Sequence, residues 1–321
     1  TGTIDITVAG SVTGSVGIEA TNRGLGAAAT INSSATIRGT GGFAIDLQDD
    51  ANDTVNLNGG SVILGAMDFG NGNDGAGGTN PNDIDTLNVG PGVNAVLTFA
   101  DTGGTGQGDS DLESAPENIT GNVVLLADGT TAVAVDPTGF ATAQTWLNSI
   151  TTSIFNAIDG IWQAGDDAAE QQSAGFSLQG DGTQFTPVAH TNAAGTGHRF
   201  WGTAFGGGRD QEGSGTTVNV DHVFAGLILG VEGIQAHNFR AGVFAGGGHS
   251  QFDVEFDAQT TEVTSGFGGI YARQDWETHW LRAVVTGGFA NHESDRRVAN
   301  GGGGAVETAS ADYDGYFIAP A

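Results

Sequence analysis

Apolar and polar positions along the chain change period twice. From Thr3 to Val8 they alternate with period two, the mark of a half-buried strand. The alternation returns in Ala29-Thr30-Ile31, which leads into Ala35-Thr36-Ile37. It returns in Thr54–Leu57, followed after Asn58-Gly59-Gly60 by Ser61–Leu64. It returns again in Asp85–Val89, followed after Gly90-Pro91-Gly92 by Val93–Leu97. Each unit is a short strand, a corner of small residues and a second short strand. Val8, Ile31, Leu57 and Val89 recur at about 23 to 32 residues, near the range of solenoid repeats. A strand pair this short cannot bury an apolar face alone, whereas stacked coils bury it continuously and pair the strand edges. Residues 1–135 are therefore predicted to form a right-handed parallel β-helix with loops at 70–84 and 101–118. An irregular antiparallel sandwich is the alternative that such short runs allow.

Between about 141 and 163 the period becomes helical. Trp146, Ile150, Ile154, Ile158 and Trp162 fall every four residues, and Leu147 and Ile161 widen the stripe. Asn148, Thr151, Thr152, Ser153 and Asn156 make a polar side without charge. Asp136-Pro137-Thr138-Gly139 is a turn and helix-start signal, and Gln163–Ala174 a polar, acidic linker. From about residue 198 period two returns in longer runs, near 198–208, 218–232, 237–249, 262–275, 278–291 and 307–319. Val223, Ala225, Leu227, Leu229 and Val231 make one apolar face, opposite His222, Phe224, Gly226, Ile228, Gly230 and Glu232. Long and short polar connectors alternate between strands of about 10 residues, the pattern of a transmembrane β-barrel. Trp201, Tyr271, Trp276 and Trp280 are candidates for its interfacial aromatic girdles. The fold class is thus all-β with one amphipathic helix.

Several segments in order carry a resemblance. They are Ala134-Val135-Asp136-Pro137-Thr138-Gly139-Phe140 before the helix, Phe200–Gly206 opening the first long strand, Phe224–Val231, Phe239–Gly248 and Tyr313-Asp314-Gly315-Tyr316. Together with the Gly-rich solenoid upstream, they resemble the autotransporter family of type V secretion, over about residues 130–321. The resemblance implies a passenger β-helix end at 1–135 and a linker and pore helix at 136–175. It implies a barrel domain over 176–321 with about six of the family's twelve strands. It also implies an outer-membrane location, with lipid and the barrel-assembly machinery as partners. The passenger would be displayed at the cell surface as an adhesin or stalk with a host or cell-surface ligand. Six strands are too few to close a barrel, so the sequence is expected to be a piece of a longer product.

Charge narrows the chemistry. The net charge is -28, all nine basic residues are Arg, and there is no Cys. An acidic surface repels phosphate backbones, so no nucleic-acid partner is expected. Cys is absent throughout and every His lies at or after His190, so residues 1–189 hold neither a His-dependent catalytic triad nor a His or Cys zinc site. No cofactor is expected, and no enzyme activity within this chain. A hydrolase domain upstream, carried on the solenoid, is an alternative reading. Gly108-Asp109-Ser110-Asp111-Leu112 lacks the strand-turn-helix setting and His partner of a hydrolase nucleophile. The carboxylates Asp101, Asp109, Asp111, Glu113 and Glu117 read as a solvated acidic loop. Gly70-Asn71-Gly72-Asn73-Asp74 matches one copy of a calcium-binding β-roll repeat. That makes Asp74, Asp83 and Asp85 weak calcium candidates and a calcium-binding secreted β-roll a further alternative. His222, Arg240, Arg273 and Arg282 fall within the long strands and are candidates for the barrel lumen. Asn148 and Asn156, with Asp159 nearby, are candidates for self-cleavage near the helix, against the simpler role of polar helix side chains.

Overall fold

The structure, a computed structural model, describes residues 3–20, 28–47, 52–70, 84–100, 115–163, 183–185, 188–192, 198–213, 217–236, 238–302 and 304–321. Among the described residues it is all-β with one long helix, and no helix there is long and apolar enough to cross a membrane.

The first part contains β1 (Ile4–Gly14), β2 (Ile18–Ala20), β3 (Ala29–Leu47), β4 (Thr54–Leu57), β5 (Val62–Asp68), β6 (Thr86–Val89), β7 (Ala95–Thr98) and β8 (Asn118–Gly121). One ladder runs β1-β3-β4-β6-β8, and every pair in it is parallel. The chain thus returns to the same column once per coil. Ile6, Ile31, Val55, Leu87 and Ile119 stack in one such column. Val8 stacks on Ser33, then Leu57 and Val89, so its partner lies two residues from Ile31, the position that spacing alone picks out. Ile31, Ile37, Ile45, Leu57, Ile63, Met67, Leu87 and Leu97 converge in one interior and are fully buried.

Polar side chains also repeat by coil. The Asn56 amide donates to the Asn32 side chain (2.8 Å), the Asn88 amide to Asn56 (2.7 Å) and the Thr120 hydroxyl to Asn88 (2.5 Å). A second column is made of carboxylates. Asp53 accepts the Ala29 N–H (2.6 Å), Asp85 the Asp53 N–H (2.7 Å) and Glu117 the Asp85 N–H (2.6 Å). Each coil so supplies an acceptor for a backbone donor of the coil before it, at a site where an unpaired amide would be costly. The stack then ends on a hairpin of β9 (Val123–Leu125) and β10 (Thr131–Ala134). β10 runs antiparallel along β7 and covers that edge.

Helix α1 (Thr138–Gln163) follows directly. The buried Asp136 accepts both the N–H (3.1 Å) and the hydroxyl (2.7 Å) of Thr138, a carboxylate at a helix start. Its own N–H donates to Asn94 of the coil stack (2.9 Å), which fixes where the helix leaves.

The remaining strands are β11 (Thr183–Phe185), β12 (Val188–Asn192), β13 (Arg199–Gln211), β14 (Val220–Ala236), β15 (Phe239–Val254), β16 (Gln259–Asp275), β17 (Trp280–Asn300) and β18 (Ala305–Pro320). From β13 to β18 they form an antiparallel meander in sequence order. β11 and β12 both pair with β13 and add a strand that the alternation does not reveal. Among the described residues no ladder joins β18 back to β11 or β12, so the sheet is open. β17 runs to Asn300, well beyond the apolar alternation that ends near Asn291, because pairing continues where the outward side chains become polar.

Candidate functional site

The two faces of the meander differ in chemistry, and strand register shows how. On the outer face, four rows cross the strands. Leu227, Gly247, Gly266, Phe289 and Tyr316 make the first, and Leu229, Ala245, Gly268, Gly287 and Ile318 the second. Val231, Val243, Ile270 and Val285 make the third, and Ile234, Ala241, Ala272 and Ala283 the fourth. None carries a polar side chain except the Tyr316 hydroxyl, yet Leu229, Ile270 and Ile318 are 57%, 60% and 77% exposed. At one end of this band the outward rows turn acidic. Asp221, Asp253 and Asp295 share a row, and Glu262, Glu293 and Asp312 share the next. That is also the end at which β17 reaches the coil stack.

The inner face sets aromatic rings over glycines. Trp201 lies across from Gly230, Phe205 from Gly226 and Tyr271 from Gly242. A Cβ on Gly230 would stand 2.2 Å from the Trp201 ring, and one on Gly226 2.2 Å from Phe205. Only glycine leaves the neighbouring strand low enough for the ring to lie flat across it. Trp201 and Tyr271, which the sequence offers for an outward girdle, are therefore buried inside, joined by an indole N–H donated to the Tyr271 hydroxyl (2.9 Å). Trp276 and Trp280 are exposed at the β16–β17 turn.

α1 lies against this inner face. Trp146, Ile150, Ile154, Ile158 and Trp162 are all buried, packed among Trp201, Phe205, Phe244, Phe267 and Tyr271. The helix starts at the acidic end, where Thr138 accepts the Val218 N–H (3.5 Å), and finishes near the opposite rim. Trp146 meets His292 and Phe317 edge-on, with centroids at 5.5 and 5.7 Å, and Trp162 meets Tyr271 at 6.0 Å. Within the helix Thr151 and Ser153 donate to the carbonyls of Leu147 (2.7 Å) and Ser149 (2.8 Å), which satisfies both hydroxyls locally.

The four strand residues singled out by sequence all lie on the face that carries α1. His222 is buried and stacked flat on Phe252, centroids 3.9 Å apart. Arg240, Arg273 and Arg282 share one row. Arg282 pairs with Asp159 of the helix and lies over the Trp162 and Trp280 rings, at 5.4 and 4.1 Å. Arg273 donates to the Trp162 carbonyl (3.5 Å) and pairs with Asp275 (2.7 Å). The last turn of α1 has no basic residue of its own, so the sheet supplies the cations that suit a helix C-terminus. Asp159 is thus engaged by Arg282, while Asn148 and Asn156 are exposed on the helix.

Of the calcium candidates, Asp85 serves as the acceptor for the Asp53 amide, and Asp74 and Asp83 lie outside the described residues. The Gly108–Leu112 segment and Asp101, Asp109, Asp111 and Glu113 also lie outside them, while Glu117 accepts the Asp85 amide. The ring-over-glycine lattice is the part of the site that sequence reasoning missed. Its signal was the alternation of Gly with aromatics on one strand parity, which names the partners only once register is known.

Residues 200–320 match a family described as the autotransporter beta-domain. No curated protein and no solved structure matches the chain. Residues 200–320, the stretch that forms the apolar-faced meander, are thus where the chain is similar to the autotransporter family.

Proposed function

We propose that the meander spans the outer membrane as part of a β-barrel, with α1 in its lumen. The coil stack would then be the end of a right-handed β-helical passenger on the cell surface. The match to the autotransporter beta-domain supports an outer-membrane location and secretion of a passenger. The observation that carries the reading is the outer face. Four rows of exposed apolar side chains, two residues apart, cover about 20 Å of strand at ~3.3 Å per residue. That is most of the height, about 25 Å, of the lipid-facing band of an outer-membrane barrel. In water such a face would be a large exposed apolar patch without a partner.

The inner face fits a lumen. Arg240, Arg273 and Arg282 lie at the edge of the apolar band on the inner side, where Arg273 and Arg282 hold the end of the helix and Arg240 pairs with Asp275. A helix whose polar side carries Asn, Thr and Ser suits a narrow wet pore. The acidic rows and the coil stack share one end of the band, and in this reading both lie outside the cell. Residues 1–135 are then passenger, 136–175 linker and pore helix, and 176–321 barrel. Partners are outer-membrane lipid and the barrel-assembly machinery. The passenger acts as an adhesin or stalk, with no catalytic role of its own.

The test uses the absence of cysteine. Ser34 is exposed on the coil stack. Ser34→Cys in the full chain should react with a membrane-impermeant maleimide on intact cells. Labelling only after the outer membrane is broken would overturn surface display.

A further inference from the structure

The tip of the β17–β18 hairpin is built into the coil stack. On two faces of the stack, the coil carrying β5 and the coil carrying β7 meet directly. There Thr54–Leu57 pair with Thr86–Val89, and Met67 pairs with Phe99. On the third face, among the described residues, the two coils are joined through the hairpin tip. The Gly65 N–H donates to the Gly301 carbonyl (3.0 Å), the Gly301 N–H to Val96 (2.8 Å) and the Ala299 N–H to Asn94 (3.0 Å). β17 here runs parallel to β7, with Ala299 beside Ala95 and Asn300 beside Val96, as any coil of the stack would. Ala299 is buried in the same interior as Ile37, Ile63 and Leu97. A Cβ on Gly301 would stand 3.0 Å from the Val96 carbonyl oxygen and 3.3 Å from that of Gly65, so the slot is cut to a bare backbone.

A second turn of the meander reaches the same interval. Between β15 and β16, Phe256 and Asp257 adopt φ of 63° and 51°, the left-handed region that such residues hold only when their surroundings impose it. The Phe256 ring covers the glycine corners of both coils. A Cβ on Gly59 would lie 2.4 Å from it, and one on Gly92 3.0 Å. Ala258 accepts the Arg297 N–H (3.1 Å) and the Asn94 amide (3.4 Å), tying the two turns and the coil together.

We infer that the β17–β18 tip serves as a built-in strand of the chain's own solenoid, supplying the pairing that one interval of the stack lacks. The coil carrying β7 gains a paired edge where it meets the rim, by the strand addition that other sheets offer to foreign peptides. The stack is then seated on the sheet at a fixed angle, and its tie to the sheet does not depend on residues 135–138 alone. The contact does not depend on a membrane; only the side of the membrane on which it forms rests on the reading above.

Two experiments on the full chain test this. Ala299→Cys with Ala95→Cys should close a disulfide under mild oxidation, with Thr30→Cys and Thr54→Cys as a reference pair inside the stack. Closure of the reference pair while the rim pair stays open would overturn the inference. Closure of the rim pair supports it even in a preparation where Ser34→Cys is not surface-labelled, so the two readings fail separately. Gly301→Pro removes the N–H bound by Val96 and should speed proteolysis of the coil stack about tenfold, the effect of one lost buried hydrogen bond. Gly302→Ala, whose Cβ meets only ordinary contacts, should not. Equal resistance of Gly301→Pro and the parent chain would also overturn the inference.

Discussion

The coil stack and the meander are made from the same few residue types and turn them in opposite directions. In the stack Ile31, Val55 and Leu87 point inward and are fully buried. In the meander Leu229, Val243 and Ile270 point outward and are at least half exposed, while the other face takes glycines, rings and charges. Pairing differs as well. Neighbours in the β1-β3-β4-β6-β8 ladder lie 24 to 32 residues apart, whereas each strand of the meander from β13 to β18 pairs with the next in sequence. A row of aliphatic side chains has no fixed direction of its own. Its direction reports which solvent the face meets, and on the proposed reading one chain carries a segment fitted to water beside one fitted to lipid.

That contrast can be broken at either end. The largest effect is expected from Ile31→Ala, which opens a cavity in the stack and should cost about 2–5 kcal/mol. Denaturant unfolding of the stack should shift by that amount while insertion of the meander is unchanged. A joint loss of both would mean that the two parts do not have separate cores. Leu229→Arg is the converse. It should cost about 2–4 kcal/mol in a bilayer, read as extraction of the chain from membranes by urea. Extraction indistinguishable from that of the parent would put this face in water. Gly230→Val drives a side chain into the Trp201 ring and should cost about 1–3 kcal/mol, seen as a lower temperature for heat-induced mobility change on gels. An unchanged transition would show that Trp201 moves aside freely. Asn88→Ala interrupts the amide column and should cost about 1 kcal/mol, confined to the stack.

The smallest effect is one of pH. The backbone N–H of Thr130, followed by Thr131, holds the Asp128 carboxyl below its ordinary 3.8. A depressed carboxylate favours the folded turn above its unfolded pKa and loses that effect as pH falls through the folded one. Amide exchange at Thr130 should therefore rise in acid well below pH 4, and Asp128→Asn should remove the step. Exchange that is flat over that range would leave the turn to be held by its backbone alone.

Much of this was legible from period alone. Trp146, Ile150, Ile154, Ile158 and Trp162 announced the buried side of α1, and the alternation from His222 to Glu232 separated the two faces of β14. Register was not legible. Val8 pairs with Ser33 because the first coil step is 25 residues, as the Ile6 to Ile31 pair shows, and a corner that absorbs two residues leaves no mark in hydropathy. The far ends of the long strands were hidden too. Beyond Asn291, β17 presents Glu293, Asp295 and Arg297 outward, a pattern that reads as loop until the partner strand is known. Trp201 and Tyr271 looked like girdle residues because aromatic content carries no parity. The seat of the hairpin tip joins residues some two hundred positions apart through backbone groups, which no side-chain pattern encodes.

The carboxylate column has a consequence for how such a chain can change over time. Asp53, Asp85 and Glu117 each accept an amide from the coil before, so each coil carries its own acceptor and its own donor. A whole coil gained by duplication arrives with both, and a coil lost by deletion removes both, leaving no unpaired group at the join. A gain or loss of part of a coil breaks the column at once. Gene length in this region is therefore expected to drift in steps of a coil, and relatives should differ by numbers of residues close to the 24 and 32 that separate successive rungs here.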